Sequence, residues 1–295
     1  MSEIHIPVLL KEVLDTVTPK KNENLVDFTA GYGGHSKQIL SITSNFKNSY
    51  LIDRDNQAVD YLKNIAFKNK PVNIINQDFY GASINFFKKN KKFDIILADL
   101  GVSSLHINDQ TRGFSFMRTG PLDMRMDQNQ ELDAGYVLNK YPETRLREIL
   151  EQYGEEPKAR YIAKLIVLGR PLRTTDDLVK ICTRAWPGHS KTNPATRTFQ
   201  AIRIEVNQEL KQLIDSLPVW IDLLNPGGRL AIISFHSLED RIVKKYFNDN
   251  SGDRYDDKLV LLNKKPIMAD QTEIVNNPRA RSAKLRAVVK KIKTK

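Results

Sequence analysis

Hydrophobic positions in the first hundred residues alternate between two periods. Short apolar runs of strand length are separated by segments whose apolar residues recur at helical spacing. The predicted strands are 24–28, 49–53, 72–76 and 93–99, and the predicted helices between them are 34–44, 56–64 and 80–87. Because strand–helix–strand repeats form parallel sheets with right-handed crossovers, this pattern predicts a doubly wound α/β domain.

After Gly101 the strand pattern stops for about a hundred residues. Helical periodicity and capping signals there predict helices over 144–152, 158–168, 175–186 and 194–217. The strand pattern returns at 225–234, before a predicted helix over 238–247 and two closing apolar runs at 258–263 and 284–289. We therefore predict a sheet domain built from 1–106 and 206–295, which a helical insertion over 107–205 interrupts.

Composition narrows the class of protein. Of 295 residues, 40% are apolar and 27% are charged, which is typical of a globular chain with an ordinary core. No apolar run reaches the roughly eighteen residues of a spanning helix, and we expect no signal peptide at the N-terminus. The lone Cys182 excludes an internal disulfide framework, favours a cytoplasmic location and is interpreted as a core residue. The scattered histidines predict no metal site.

The turn after the first predicted strand is rich in glycine. It reads DFTAGYGGHS over 27–36. Glycines at such a turn let a ligand approach the backbone, beside the free N–H groups of the following helix. The dinucleotide fingerprint would need glycine where Ser36 stands, which argues against a nicotinamide cofactor. An ordinary structural turn is the alternative interpretation.

Acidic residues follow the other three strands. Asp53 lies where a carboxylate accepts hydrogen bonds from ribose hydroxyls, whereas Asp55 is placed to cap the next helix. Asp78 can accept a hydrogen bond from an adenine amino group while the Phe79 ring packs on the base, although Phe79 alone would be interpreted as core. Asp99 ends the fourth strand. Because ligands bind at these strand ends, the pattern favours an adenosine-bearing ligand without a pyrophosphate, namely S-adenosylmethionine.

Eight blocks of sequence resemble one known family, nearly from end to end. They are HIPVLLKEV (5–13), DFTAGYGGHS (27–36), DLGVSS (99–104), RGFSFM (112–117), GPLDMRMD (120–127), NPATRTFQAIR (193–203), SFHSLEDR (234–241) and NPRARSAKLR (277–286). The chain resembles the bacterial cytosine N4-methyltransferases of small-subunit ribosomal RNA, called RsmH and formerly MraW. The resemblance implies a class I S-adenosylmethionine-dependent fold whose helical insertion recognises substrate. It also implies methylation of the exocyclic N4 amine of a 16S rRNA cytidine near the decoding site.

Carried onto matching positions, the resemblance implies a cofactor pocket formed by Gly33, Gly34, His35, Asp53, Phe79 and Asp99. His106 stands where the family usually has Gln, and its ring can still form a hydrogen bond to the cofactor. No metal is implied. Asp99 is the single candidate for a catalytic group, first as a cofactor contact and second as a proton acceptor.

Three further residues have two interpretations each. Phe114 and Phe116 either stack on a flipped-out cytosine or anchor the entry to the insertion. His236, which follows the fifth strand, either lies near the target base or is a hydrogen-bonded structural histidine.

Charge indicates where a polyanion binds. The net charge is +11, and 158–203 and 279–295 each carry +8, so the rest of the chain carries −5. We therefore expect the later helices of the insertion and the C-terminal tail to bind RNA phosphates. The expected partner is small-subunit ribosomal RNA or the small ribosomal subunit, with no membrane partner. Monomer and homodimer both remain open, as do naked RNA and assembled particle.

Other functions fit parts of the sequence. A methyltransferase acting on DNA or protein would share the cofactor residues, although DNA amino-methyltransferases commonly carry Asp-Pro-Pro-Tyr where this chain has DLGV from Asp99. A non-catalytic RNA-binding assembly factor would also keep the pocket. Ser36 disfavours an NAD-dependent dehydrogenase.

Overall fold

The structure is a computed structural model that describes residues 7–103, 107–188, 193–252 and 257–292. The chain divides into two compact units, one formed by Met1–Gly101 with Leu210–Lys295 and the other by Val102–Glu209. None of the helices in the described ranges has the length and apolar character needed to span a bilayer.

Within the described residues, seven strands of the first unit form one sheet. They are β1 (Leu25–Asp27), β2 (Tyr50–Asp53), β3 (Asn73–Asn76), β4 (Phe93–Asp99), β5 (Leu224–Ser234), β6 (Leu259–Leu261) and β7 (Lys284–Lys290). Their order is β3-β2-β1-β4-β5-β7-β6; the pairs among β1 to β5 are parallel, and β7 is antiparallel to both neighbours. The predicted α/β class with a helical insertion between the fourth and fifth strands is confirmed, and it is the class I methyltransferase fold that the resemblance implies.

Helices cover this sheet and build the second unit. The α-helices of the described residues are α1 (Leu10–Val17), α2 (Gly34–Thr43), α3 (Asn56–Tyr61), α4 (Phe79–Lys88), α5 (Ala134–Lys140), α6 (Glu143–Gly154), α7 (Ala159–Leu168), α8 (Thr175–Ala185), α9 (Thr196–Asn207), α10 (Glu209–Leu223), α11 (Ser237–Asp249) and α12 (Gln271–Asn276). A π-helical turn, Leu62–Ala66, follows α3 directly. Helices α5 to α9 pack around one apolar core of their own.

The central strand β4 shows why the sheet is buried on both faces. Ile96 and Ala98 belong to one core cluster, whereas Ile95 and Leu97 belong to the other. Because successive side chains of a strand point to opposite faces, a run of apolar residues is what a strand covered on both faces requires. On the first of these faces Trp220 of α10 is fully buried and stacks on Phe28, with ring centroids 5.2 Å apart.

One predicted helix is wrong. The sequence pattern predicts a single helix over 194–217, but the structure has α9 and α10, separated at Gln208. Gln208 adopts a left-handed conformation with φ of 51°, which ends α9. Next to it, the side chain of Asn207 accepts a hydrogen bond from Met126 N–H and donates one to the Met124 carbonyl, which fixes the end of α9 to another segment of the second unit. Tertiary contacts of this kind leave no mark on hydrophobic periodicity.

Candidate active site

The carboxyl ends of β2, β1 and β4 bring three aspartates to one edge of the sheet. The strands are neighbours in the order β2-β1-β4, and they end at Asp53, Asp27 and Asp99. Ligands of open α/β sheets bind at this edge. Two of the acidic residues that the sequence suggested for ligand binding, Asp53 and Asp99, therefore end strands on either side of β1, which itself ends at Asp27.

The glycine turn is held in place by Asp53. Its Oδ2 accepts a hydrogen bond from Gly31 N–H at 2.8 Å, and its Oδ1 accepts one from Asp55 N–H at 2.8 Å. Asp55 in turn accepts from Gln57 N–H at 3.0 Å, so its predicted role as the cap of α3 is confirmed. Both carboxylate oxygens of Asp53 therefore hold the backbone of the turns that follow β1 and β2.

Gly33 and Gly34 are required by the packing of the turn. Gly33 caps α2 with φ of 79°, and a Cβ there would lie 2.9 Å from side-chain atoms of Leu62 and Phe67. A Cβ on Gly34 would lie 2.6 Å from Cγ of Pro7. These glycines therefore shape the turn by letting neighbouring side chains pack against its backbone.

Asp27 is a buried acid to which the sequence pattern assigned no role. It accepts hydrogen bonds from the Ser36 hydroxyl and from Thr29 N–H. Burial raises its pKa to about 6, with a further rise from the nearby Asp53 carboxylate that the hydrogen bonds only partly offset. Thr29 also uses its hydroxyl oxygen to accept from Asp99 N–H at 2.6 Å, so the ends of β1 and β4 are linked. The only signal for Asp27 in the sequence is an acidic residue at the end of an apolar strand, followed nine residues later by a serine in the next helix.

Asp99 presents an acceptor atom that has no partner among the described residues. Within the described residues its Oδ1 is buried and has no hydrogen-bond partner, and its Oδ2 lies 3.8 Å from Nδ1 of His35. The other ring nitrogen of His35, Nε2, lies 2.8 Å from the Val8 carbonyl oxygen and donates to it, which leaves Nδ1 directed toward the carboxylate. Burial raises the pKa of Asp99 well above its ordinary value, and the carboxylates of Asp27 and Glu239 raise it further.

Phe79 lies in the core of the sheet unit. Its ring meets Trp220 edge-on at 5.7 Å, and the Arg54 guanidinium lies 5.7 Å from its centroid. Asp78 caps α4 by accepting a hydrogen bond from Gly81 N–H at 2.8 Å. These contacts support the interpretation of Phe79 as a core residue.

Several other candidates have structural roles. His236 caps α11 through Nδ1, which accepts from Glu239 N–H at 3.4 Å, while the Glu239 carboxylate accepts from the N–H groups of Phe235 and His236. This supports the interpretation of His236 as a hydrogen-bonded structural histidine. His106 lies outside the described residues.

The aromatic pair and the cysteine belong to the core of the second unit. Phe114 is buried there, and Phe116 meets Phe199 edge-on at 5.6 Å, which supports the anchoring interpretation. Cys182 is fully buried, and burial raises the pKa of its thiol to about 12, so it is a core residue as predicted.

Several cations of the C-terminal basic block are engaged within the sheet unit. Arg286 and Lys284 donate to the Asp240 carboxylate at 2.6 Å and 3.1 Å. Lys290 donates to the carbonyls of Ile221 and Leu224 at 2.8 Å each. The expected role of this block in binding phosphates does not fit these three cations, because their charge already serves to hold the sheet unit together.

Comparison with known proteins identifies the family. The model of the MraW methylase family matches residues 2–292. The chain belongs to the MraW methylase family. It is 41% identical to a protein named ribosomal RNA small subunit methyltransferase H from Halothermothrix orenii, over 96% of this chain and 97% of that one. A protein of the same name from Ehrlichia canis is 42% identical to this chain, over 97% of this chain and 100% of its own length.

A further relative of the same name, from Trichormus variabilis, is 44% identical over 97% of this chain and 92% of its own. A solved rRNA methylase from Streptococcus thermophilus aligns over 98% of this chain and 100% of its own at 10% identity, with a TM-score of 0.45, a likeness too low to support an argument. Membership of the MraW methylase family confirms the family predicted from the sequence blocks, and with it the methyltransferase class.

Proposed function

We propose that this member of the MraW methylase family uses S-adenosylmethionine to methylate the N4 amine of a cytidine in small-subunit ribosomal RNA, near the decoding site. The observation that carries the proposal is the acidic edge formed by Asp27, Asp53 and Asp99 beside a glycine turn. The names of the relatives support small-subunit ribosomal RNA as the substrate. Cytosine N4 and the decoding site come from the resemblance.

The residues at this edge fit the proposed cofactor. S-adenosylmethionine carries ribose hydroxyls, which can donate hydrogen bonds to Asp53, and an α-ammonium group, whose positive charge suits a carboxylate. The buried Oδ1 of Asp99, without a hydrogen-bond partner in the described part of the chain, is the acceptor such a cation needs. When bound, the cofactor supplies an electrophilic methyl group on its sulfonium.

The remaining chemistry is assigned to the protein. The lone pair of an exocyclic cytosine amine is conjugated into the ring, so the protein must orient the base and place fixed polar groups around the amine. The amine must also lose a proton. Asp99 is our candidate for the residue that contacts the cofactor, and its raised pKa suits a proton acceptor as well.

The test is methyl transfer from labelled S-adenosylmethionine to small ribosomal subunits that lack the modification. Label is expected in 16S RNA as N4-methylcytidine, and Asp99→Ala is expected to lower the rate at least about a hundredfold. Asp60→Asn, which neutralises an exposed carboxylate of α3, is the matched control and should leave the rate unchanged. Label in DNA or in protein would overturn the substrate, and cofactor binding without any transfer would favour an assembly factor.

A further inference from the structure

Helix α7 of the second unit has one buried face and one exposed face. Its apolar face packs into the core of the unit, and its exposed residues are Arg160, Tyr161, Lys164 and Leu168. Tyr161 is 46% exposed, which is high for a large aromatic residue of a helix. Arg160 and Lys164 are four residues apart, so they project from the same side of the helix with the tyrosine ring beside them.

These two cations differ from most others of the basic block. Lys158 donates to the Ala185 carbonyl and lies 4.0 Å from the centroid of the Trp186 ring. Arg170 donates to main-chain carbonyls, and Arg203 pairs with Glu209 at 2.9 Å. Arg160 and Lys164, in contrast, have neither an ion pair nor a side-chain hydrogen bond among the residues that the structure describes. Like charges at this spacing also destabilise a helix, so folding gains nothing from them.

The exposed residues of α7 line part of a surface pocket. It is lined by Arg160, Tyr161 and Lys164 of α7, together with Glu143, Pro157 and Lys158. Three cations face one carboxylate, so the pocket is electropositive. Lys158 links the start of α7 to the end of α8 through its contacts with Ala185 and Trp186.

We infer that this α7 face, defined by Arg160, Tyr161 and Lys164, binds a single-stranded segment of the RNA substrate, with the two cations on phosphates and the tyrosine ring stacked on a base. This inference rests on the proposed function for the identity of the RNA. Cations that follow a backbone, combined with an exposed aromatic ring, are how proteins bind single strands without reading sequence. An acidic protein would use the cations but would give the ring no stacking partner.

The test measures binding of a labelled single-stranded RNA of about twenty nucleotides, which spans more than one site of this kind. Tyr161→Ala is expected to weaken binding about five- to a hundredfold, and Tyr161→Phe, which keeps the ring, is expected to restore it. The double variant Arg160→Ala/Lys164→Ala should make log affinity fall less steeply with log salt. The magnitude of the slope should decrease by about 1.4, since each phosphate contact in a single strand contributes about 0.7. The control replaces Lys140 and Arg173, two exposed cations of the same unit that do not line the pocket, by alanine.

Methylation of small subunits separates this inference from the proposed function. In the α7 variants the KM for subunits should rise about tenfold, while kcat and S-adenosylmethionine affinity stay at the wild-type values. Any one of three results would overturn the inference: unchanged RNA affinity, an equal loss of affinity in Tyr161→Phe and Tyr161→Ala, or the same change of slope in the control. An acidic protein would then be the better candidate for the partner of the α7 face. Absence of methylation in every variant and in the wild type would overturn the proposed function alone, because RNA affinity is measured independently.

Discussion

Asp27 carries a charge that the fold stabilises poorly. Burial raises its pKa from 3.8 to about 6, so the native state binds the proton more tightly than the unfolded state does. The resulting stabilisation is present in full below the unfolded pKa and is lost as pH rises through the native pKa. This proton-linked stabilisation is therefore absent at neutral pH, where Asp27 is ionised in both states.

We predict that the wild-type protein loses about 1 kcal/mol of unfolding free energy between pH 5 and pH 7.5 that Asp27→Asn does not lose. The amide of the Asp27→Asn variant cannot ionise, so this side chain contributes no change in unfolding free energy between the two pH values. Urea unfolding of both proteins at the two pH values checks this, with Asp60→Asn as an exposed control. Identical pH dependence in wild type and Asp27→Asn would contradict the raised pKa.

Asp99 links a raised pKa to ligand affinity. If its carboxylate holds the α-ammonium group of the cofactor, it must be ionised in the complex, and protons compete with the ligand below its pKa. We predict that affinity for S-adenosylhomocysteine, which has the same amino acid end, rises with pH in the wild type. Asp99→Asn should bind about ten- to a hundredfold more weakly and show a flat profile. Calorimetric titration across pH 6 to 9 measures both; wild-type affinity in the variant would remove Asp99 from the pocket.

At the scale of elements, the strands near the site were predictable and the helix boundaries less so. Strand β4 was predicted over the residues it occupies, because a strand buried on both faces is continuously apolar. Strand ends also place Asp53 and Asp99 at one edge from topology alone. The hydrogen bond from Gly31 to Asp53 depends on three-dimensional packing, and so does the burial of an Asp99 oxygen that has no partner in the described ranges. Periodicity does not encode either feature.

The break between α9 and α10 leads to a prediction at the same scale. Gln208 holds φ of 51°, a conformation that costs an L-residue about 1–2 kcal/mol and costs glycine almost nothing. Gln208→Gly should therefore raise the unfolding free energy by up to about 1 kcal/mol, since glycine's flexible unfolded state offsets part of the gain. Gln208→Val, whose branched side chain opposes this conformation, should lower it by about 1–2 kcal/mol. Urea unfolding measures both, and equal stability of the two variants would contradict a cost of the left-handed conformation at Gln208.

At the scale of the whole molecule, the net charge of +11 serves two purposes. The sequence located two basic blocks, but it did not distinguish paired cations from unpaired ones. In the C-terminal block, Arg286 and Lys284 hold Asp240 of α11 against β7. Burial alone would raise the pKa of Asp240, yet the hydrogen bonds from these cations outweigh burial and hold the pKa below its ordinary value. In the insertion, Arg160 and Lys164 have no such partners in the described ranges.

This division predicts opposite effects for two sets of variants. Arg286→Leu leaves the Asp240 carboxylate with one partner fewer in a buried setting, and should lower the unfolding free energy by roughly 2–4 kcal/mol. Its effect should grow above the unfolded pKa of Asp240, where that carboxylate is charged in both states, and fade as the pH falls through its native pKa. RNA affinity, measured on protein that circular dichroism shows to be folded, should be unchanged.

The double variant Arg160→Ala/Lys164→Ala should do the reverse. It should weaken RNA binding while leaving the free energy of unfolding within about 0.5 kcal/mol of the wild-type value. A stable Arg286→Leu protein with weakened RNA binding would place the RNA on the C-terminal block instead.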